Sequence, residues 1–464
     1  MRTLPPDPDR PDATPEGAVG GKVWFHTFGC QMNVYDTGKM RAQLAADGFE
    51  DAQFPEEADL ILLNTCSIRE KAVAKMDSAL GHYRALKRDK PLVLGVAGCV
   101  AQQEGDALLR RWPELDLVFG PDGVPHVRSL VQRARTGQRV LDVDFLDLET
   151  YPFVAEVDPQ ATGVGAFVTI QKGCDNKCTF CIVPTTRGAE ASRPSAEIVE
   201  EVRALADRGV VEITLIGQNV NSYGLKVPGE KRFAELLYAV AEVPGVRRIR
   251  YTTSHPRDMG DDVVQAYRDL PQLASHLHLP VQSGSNAVLR RMKRFYTRER
   301  YLEVVAALKA ARPDLTLTTD VIVGFPGETE ADFEQTMALL DEVGFVGSFS
   351  FAYSPRPGTP ALRLGDPVPA EVASARLTRF QDAQRARSLA WTRSHEGTEL
   401  DVLVEGPSRH DEGVIAARSS TGLMVNFPGD EALTGREVRV RVTRGFTHSA
   451  RGEALHDREE GAGG

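Results

Sequence analysis

The chain has 464 residues, 42% of them hydrophobic and 26% charged, enough for two or three domains with sizeable cores. Its formal net charge of -10 argues against indiscriminate nucleic-acid binding, which needs clustered Lys and Arg. Apolar runs such as Leu60–Leu63 and Leu92–Val96 are far too short to span a bilayer. Residues 1–20 turn from Met-Arg-Thr-Leu into Pro, Asp and Gly without the apolar core of a signal peptide. They are expected to be a disordered lead-in, and residues 454–464 a disordered, Gly-rich tail. The six cysteines, Cys30, Cys66, Cys99, Cys174, Cys178 and Cys181, are too sparse for a secreted disulfide framework, so the expected location is the cytoplasm.

From 21 to 137 the pattern alternates. Strands are predicted at Lys22–His26, Asp59–Asn64, Pro91–Val96 and Leu115–Phe119, with helices at Val34–Ala46, Ile68–Leu86 and Gln102–Arg111. Apolar strands separated by helices predict an α/β domain with a parallel sheet. Cys30, Cys66 and Cys99 each follow the end of a strand. In an open parallel sheet those ends share one edge, where ligands bind, so the three cysteines are expected to converge on a metal site. The alternative is three buried structural cysteines.

Residues 138–162 read as an acidic, Pro- and Gly-containing linker. From 163 to 392 the alternation resumes. Strands are predicted at Phe167–Gln171, Val211–Ile216, Arg247–Thr252, Leu277–Val281, Leu315–Val323 and Gly347–Phe351. Helices are predicted at Ala196–Asp207, Phe233–Val243, Asp261–Asp269, Arg298–Ala311 and Ala331–Val343. Six units are too few for a full eight-unit barrel and predict a partial (β/α)6 barrel with its site at the strand C-terminal ends. From 395 to 453, short strands at Glu399–Val404, Gly413–Ala416, Leu423–Phe427 and Val438–Val442 predict a small all-β barrel. In Val438-Arg439-Val440-Arg441-Val442 the arginines share one face. With Arg436, Arg444, Arg451 and His448 they read either as a phosphate-contacting surface or as a solvated strand face.

The clustered cysteines read Cys174-Asp175-Asn176-Lys177-Cys178-Thr179-Phe180-Cys181, a C-x3-C-x2-C loop after the first strand of the second domain. Three thiolates hold three irons of a 4Fe–4S cluster and leave the fourth open to a ligand. Structural zinc is the alternative, but it takes four ligands, and this loop offers neither a fourth Cys nor a His. Two more loops read as cofactor contacts. Val323-Gly324-Phe325-Pro326-Gly327-Glu328 offers backbone approach at Gly324 and Gly327 and a carboxylate at Glu328 for an ammonium or ribose. Arg187-Gly188-Ala189-Glu190-Ala191-Ser192-Arg193 offers Glu190 and Arg193, beside Arg187, for a cofactor carboxylate or a phosphate. The alternatives are a Gly-Pro turn and a plain surface loop.

The C-x3-C-x-aromatic-C motif, with Phe180 as the aromatic, resembles the radical S-adenosylmethionine superfamily. Thr27–Asn33, Asn64–Ala72 and Gly98–Gln102 resemble the N-terminal domain of its methylthiotransferase family. Gly173–Arg193, Gly217–Tyr223, Ser254–Pro256, His278–Ser285 and Tyr353–Thr359 resemble that family's radical domain, and the C-terminal segment resembles its RNA-binding TRAM domain. The resemblance therefore covers nearly the whole chain. It implies an auxiliary 4Fe–4S cluster on Cys30, Cys66 and Cys99, and a radical 4Fe–4S cluster on Cys174, Cys178 and Cys181, these last three being catalytic. It implies S-adenosylmethionine at Phe180, Glu190, Arg193, Gly324, Gly327 and Glu328, and RNA at Arg436, Arg439, Arg441 and Arg444.

The substrate so implied is tRNA carrying an isopentenyl group on the adenosine 3′ of the anticodon. Two S-adenosylmethionine molecules would serve each turnover: one supplies a methyl group, and the other yields a 5′-deoxyadenosyl radical that takes hydrogen from C2 of the adenine. Because acid–base side chains do not activate an aromatic C–H, the two clusters are expected to face each other across the domain interface. An electron donor such as flavodoxin or ferredoxin, and a monomeric state, are further expectations. Ser67–Ala72 and Gln218–Tyr223 favour this branch over siblings acting on ribosomal protein S12 or on threonylcarbamoyladenosine in tRNA, which remain the alternatives. An electron-transfer protein and a non-catalytic RNA-binding protein are the readings from other classes. One departure stands out: Thr185 occupies the stretch where the family usually has Tyr.

Overall fold

The computed structural model describes residues 2–4, 20–67, 70–148, 150–161, 163–409 and 411–455. In the N-terminal domain, Gly21–Thr27, Leu60–Thr65, Val93–Gly98, Leu117–Phe119 and Arg139–Asp142 pair in parallel. Phe49–Asp51 adds a parallel strand at one edge. Every residue of Leu60–Thr65 and Val93–Gly98 is buried, as a parallel strand requires when helices cover both faces. The register pairs Thr27 with Asn64 and Thr65 with Gly98, so three adjacent strands end level and release their loops at one edge.

Three sequence expectations need correction here. Arg2–Leu4, inside the expected disordered lead-in, pairs antiparallel with Arg139–Asp142. Arg139–Asp142, inside the expected linker, is itself a strand of the sheet. The helix expected at Gln102–Arg111 is two helices, Cys99–Glu104 and Asp106–Arg111, broken where Gly105 takes φ +46. Cys99 therefore heads a helix rather than lying in a loop. Of the expected tail, Ala454 closes the strand Ala450–Ala454, and residues 456–464 lie outside those described.

The central domain pairs Gly165–Thr169, Glu212–Ile216 and Arg248–Tyr251 in parallel, and His276–His278, Thr316–Val323 and Gly347–Ala352 likewise. A parallel bridge between Ile249 and Leu273 joins the two sets, giving the open six-stranded barrel that the alternation predicts. One apolar core runs through it, from Val168 and Ile213 to Leu317 and Phe380. The helix Ala370–Arg393 packs on the edge strand Gly347–Ala352 and reaches the last domain. There, Glu399–Pro407, Val414–Ser419, Met424–Pro428, Glu437–Gly445 and Ala450–Ala454 form a closed barrel, with Val402, Val404, Ile415, Val425, Val440 and Val442 inside.

Candidate functional site

The first cysteine triad is assembled by short loops pressed together. Cys30 opens the helix Gln31–Ala46, its carbonyl accepting from Asn33 N at 3.0 Å and from Val34 N at 3.2 Å. Asn33 Nδ2 donates to Asn64 Oδ1 at 3.0 Å and to Thr65 O at 3.2 Å, and Asn64 Nδ2 returns a bond to Asn33 O at 2.9 Å. Those paired amides tie the Cys30 loop to the Cys66 loop. Gly29 has φ +138, and a Cβ there would lie 2.4 Å from Cys66 Cβ. Gly98 has φ +91, and its Cβ would lie 2.5 Å from Thr65 O. Only glycine permits both the conformation and the approach.

The Cys30 thiol is pulled down to about 6 by a hydrogen bond with Cys66, helped by the charge of Arg187 against the cost of burial. Burial pushes the Cys99 thiol up, and Arg187 opposes it. Arg187 belongs to the central domain, yet its guanidinium meets Asp36 of the first domain at 2.7 Å. The residue expected beside a cofactor carboxylate thus attends the Cys30/Cys66/Cys99 triad.

The second triad sits at the mouth of the open barrel. Cys174 N donates to Gly188 O at 3.2 Å, and Cys181 N donates to Cys178 O at 3.1 Å. Thr179 is stitched on three sides: its N donates to Met292 O, its Oγ1 to Arg291 O, and its carbonyl accepts from Ala361 N. Phe180 turns away into an apolar cluster with Val288, Met292, Phe325 and Ala361, so it anchors the loop. Burial, then the neighbouring Cys178, pushes the Cys181 thiol up to about 12, and burial likewise takes Cys174 to about 11. Arg294 Nη1 lies 3.4 Å from Cys178 Sγ. Without iron, Cys174 and Cys181 so placed stay protonated; bound iron would displace those protons and take the sulfurs as thiolates.

Among the described residues no group of three or more His, Cys, Asp or Glu gathers as a single metal ion would require. A four-iron cluster sets each thiolate on a different iron and so spreads its ligands further than one ion does. Six free thiols in two sets of three are the donor set that two such clusters take. The polar lining of the barrel mouth fits a polar cofactor. Both amide atoms of Gln171, Gln218 Nε2, Asn219 Oδ1, Ser254 Oγ and His255 Nε2 are buried without a partner, and such groups are rare unless a ligand or water meets them. They follow strand ends, as do Thr253 and Gln282, both at φ +69, a conformation that non-glycine residues adopt at functional sites. Gln171, His255 and Arg294 were not singled out as candidates in the sequence. The Ser254-His255-Pro256 stretch was visible, but no periodicity marks which of its atoms stay unpaired.

The remaining predicted contacts divide. Glu190 is buried at this mouth, where Ser222 Oγ donates to it at 2.9 Å, and burial raises its carboxyl. Arg193 lies elsewhere: 1% exposed, it is bound to Glu201 and, at 3.4 Å, to Glu197. Glu201 also takes Lys39 at 2.8 Å and the Tyr35 hydroxyl at 3.1 Å from the first domain. Arg193 is therefore a domain clamp, not a free phosphate or carboxylate receptor. Glu328 accepts from Gly324 N at 2.6 Å and from Arg376 at 2.9 Å, so the cation it meets is an arginine of the helix Ala370–Arg393. A Cβ at Gly324 would lie 2.5 Å from Ala373 Cβ, and one at Gly327 2.5 Å from Arg291 Cζ. Close packing accounts for both glycines.

The expected RNA face is mixed in charge. The register sets Asp401 opposite Arg439 and Glu399 opposite Arg441, and they pair at 2.9 and 2.7 Å. Arg444 lies over the Phe446 ring at 5.2 Å, and Arg436 is exposed. Such exposed pairs contribute little and leave the arginines available to exchange partners.

Comparison with known proteins now adds to this geometry. The radical SAM superfamily matches residues 168–340, the uncharacterized protein family UPF0004 residues 22–120, and the TRAM domain residues 393–455. The fold resembles the radical S-adenosylmethionine methyltransferase TsrM from Kitasatospora setae, with TM-score 0.55 and 13% identity over 74% of each chain. It also resembles the cobalamin-dependent S-adenosylmethionine radical enzyme OxsB, with TM-score 0.50 over 79% of this chain and 56% of that one. Fold and cysteine loop together make this a radical S-adenosylmethionine enzyme, with the iron–sulfur and S-adenosylmethionine cofactors of that class. A tRNA-2-methylthio-N(6)-dimethylallyladenosine synthase of Geobacter metallireducens is 49% identical over 93% of this chain and 98% of its own. Proteins of that name from Xanthomonas euvesicatoria and Bordetella bronchiseptica are 47% and 50% identical over 98% and 97% of this chain, and each is covered over 95% of its own length. The chain belongs to the tRNA-2-methylthio-N(6)-dimethylallyladenosine synthase family.

Proposed function

We propose that the protein converts N6-dimethylallyladenosine in tRNA to its 2-methylthio derivative, by radical chemistry that consumes S-adenosylmethionine. The observation that carries this is Arg187. It lies six residues beyond Cys181 in sequence, yet pairs with Asp36 and acts on the Cys30 and Cys99 thiols. The two triads therefore border one domain interface, as joining sulfur to a radical-activated carbon requires. When bound, a cluster on Cys174, Cys178 and Cys181 supplies the electron that cleaves S-adenosylmethionine, and a cluster on Cys30, Cys66 and Cys99 serves the sulfur.

The chain's own residues hold and orient. The unpartnered atoms of Gln171, Gln218, Asn219, Ser254 and His255, with Glu190, receive the polar groups of the cofactor. Burial, with the charges of Arg294 and Arg257, depresses His255 to about 2, so it meets a ligand as a neutral ring. The exposed arginines Arg436, Arg439, Arg441 and Arg444 of the C-terminal barrel take tRNA phosphates. No helix among the described residues is long and apolar enough to cross a membrane. A cytoplasmic monomer supplied by a flavodoxin or ferredoxin completes the reading.

The test is anaerobic reconstitution with iron and sulfide, then incubation with isopentenylated tRNA, S-adenosylmethionine and a strong reductant, followed by mass spectrometry of the digested tRNA. The methylthio nucleoside should form, and only when the isopentenyl group is present. If 5′-deoxyadenosine forms without it, the radical chemistry stands and the substrate assignment fails.

A further inference from the structure

Among the described residues, Arg294 is a buried cation with no carboxylate beside it. It is 6% exposed. Nη1 faces Cys178 Sγ at 3.4 Å, Nε donates to the Tyr296 hydroxyl at 3.2 Å, and Nη2 donates to Pro280 O at 3.1 Å. Other buried arginines differ: Arg187 has Asp36, Arg193 has Glu201 and Arg376 has Glu328. A lone buried charge is costly, so the Cys178 side of Arg294 calls for an anion.

The backbone is bent to deliver this side chain. Lys293 has φ +55 and Phe295 has φ +56, a conformation costly for residues with a Cβ. Phe295 is 61% exposed, so its own packing does not offset that cost. Tyr296 then holds the guanidinium in place, its hydroxyl donating to Val281 O at 2.7 Å.

We propose that Arg294 sets the reduction potential of the cluster held by Cys174, Cys178 and Cys181, through a fixed positive charge and an N–H···S contact at Cys178. Reduction adds one electron, delivered by a one-electron donor protein, and no bond or proton changes at Arg294. A fixed cation stabilises the more negative reduced state over the oxidised one, and hydrogen bonds to cluster sulfurs act in the same direction. Arg294 is a positioning residue that acts through Cys178. The inference rests on the two-cluster reading above.

The experiment is an EPR-monitored redox titration of the full-length protein, reconstituted anaerobically, with iron and sulfide counted per chain. The couple that responds to added S-adenosylmethionine marks the Cys174/Cys178/Cys181 cluster. R294Q should make that couple at least tenfold harder to reduce, a fall of ~59 mV for one electron, and leave the other couple in place. R294K, which keeps the charge but loses the planar fork, should fall less in the same direction. A fully loaded R294Q with an unchanged midpoint overturns the proposal, as does an equal shift of both couples. If R294Q does not load, R294K decides: a lowered midpoint supports the proposal, while a wild-type midpoint or lost iron makes Arg294 purely structural and overturns it. Iron for a single cluster in the wild type would remove the two-cluster reading and leave the R294Q comparison standing.

Discussion

Glu201 is the carboxylate on which the first two domains close, and its neutralisation should loosen them. It receives Lys39 at 2.8 Å, Tyr35 at 3.1 Å and Arg193, with side-chain exposures of 4% for Glu201, 3% for Lys39 and 1% for Arg193. Glu201→Gln keeps the shape and removes the charge, leaving two buried cations: Arg193 with the half-exposed Glu197 and Lys39 with the Glu156 carbonyl. Removing one partner of a buried pair costs ~3–5 kcal/mol. At about 1.4 kcal/mol per decade, amides of the helices Gln31–Ala46 and Ser195–Ala206 should exchange hydrogen roughly 10²- to 4 × 10³-fold faster, up to the limit of global unfolding. The readout is hydrogen exchange by mass spectrometry. A companion variant, Lys39→Met with Arg193→Met and Glu201→Leu, should recover most of the protection, because well-packed apolar groups can replace a buried ionic set at little cost. Exchange in Glu201→Gln within tenfold of wild type would refute the reasoning.

Gly98→Ala should strand the first triad. The new Cβ meets backbone at 2.5 Å where φ is +91, so the Cys99 helix must shift, and iron per chain should fall by half while the radical cluster's EPR signal persists. In the apoprotein, Cys30, lowered to about 6, is thiolate at neutral pH. Cys174, near 11, and Cys181, near 12, are thiols there. Iodoacetamide at pH 7 should therefore label Cys30 first, with its rate falling as pH drops through about 6, and peptide mass spectrometry reads the order. Arg439→Ala with Arg441→Ala should weaken tRNA binding and flatten its salt dependence by roughly 0.7–0.9 in log–log slope per lost phosphate contact. An unchanged slope, measured by filter binding, would leave those two as partners of Asp401 and Glu399 alone.

What the sequence carried well was periodicity and loop position. The helices Asp261–Asp269 and Arg298–Ala311 stand at their predicted bounds, because an apolar stripe and a terminal Thr or Gly are local signals. The release of the Cys30, Cys66 and Cys99 segments at one sheet edge followed from strand ends in one parallel sheet. What it carried poorly was the destination of long charged side chains. Arg187 and Glu328 are claimed by partners far along the chain, Asp36 and Arg376, and Arg193 by Glu201, a near neighbour in sequence that also gathers Lys39 from the first domain. Arg376 lies on the helix Ala370–Arg393, absent from the predicted elements. The ion-pair ladder of the last barrel needed the register of Glu399–Pro407 against Glu437–Gly445, which alternation alone does not fix.

The two arginines beside the triads show how one fold can ask different things of two clusters. Arg187 reaches Cys30 and Cys99 with Asp36 at its side, so its charge favours their thiolates while the carboxylate offsets part of that field. Arg294 reaches Cys178 with its charge unanswered. A paired cation scarcely distinguishes two charge states of a neighbouring cluster, because the partner carboxylate cancels most of its potential at a distance. An unpaired one favours the state with one more electron. On the proposed assignment, the cluster that accepts an electron to cleave S-adenosylmethionine is the one beside the guanidinium without a carboxylate partner. The Cys30/Cys66/Cys99 triad is given the paired cation, which ties it to the domain interface and exerts the smaller net field.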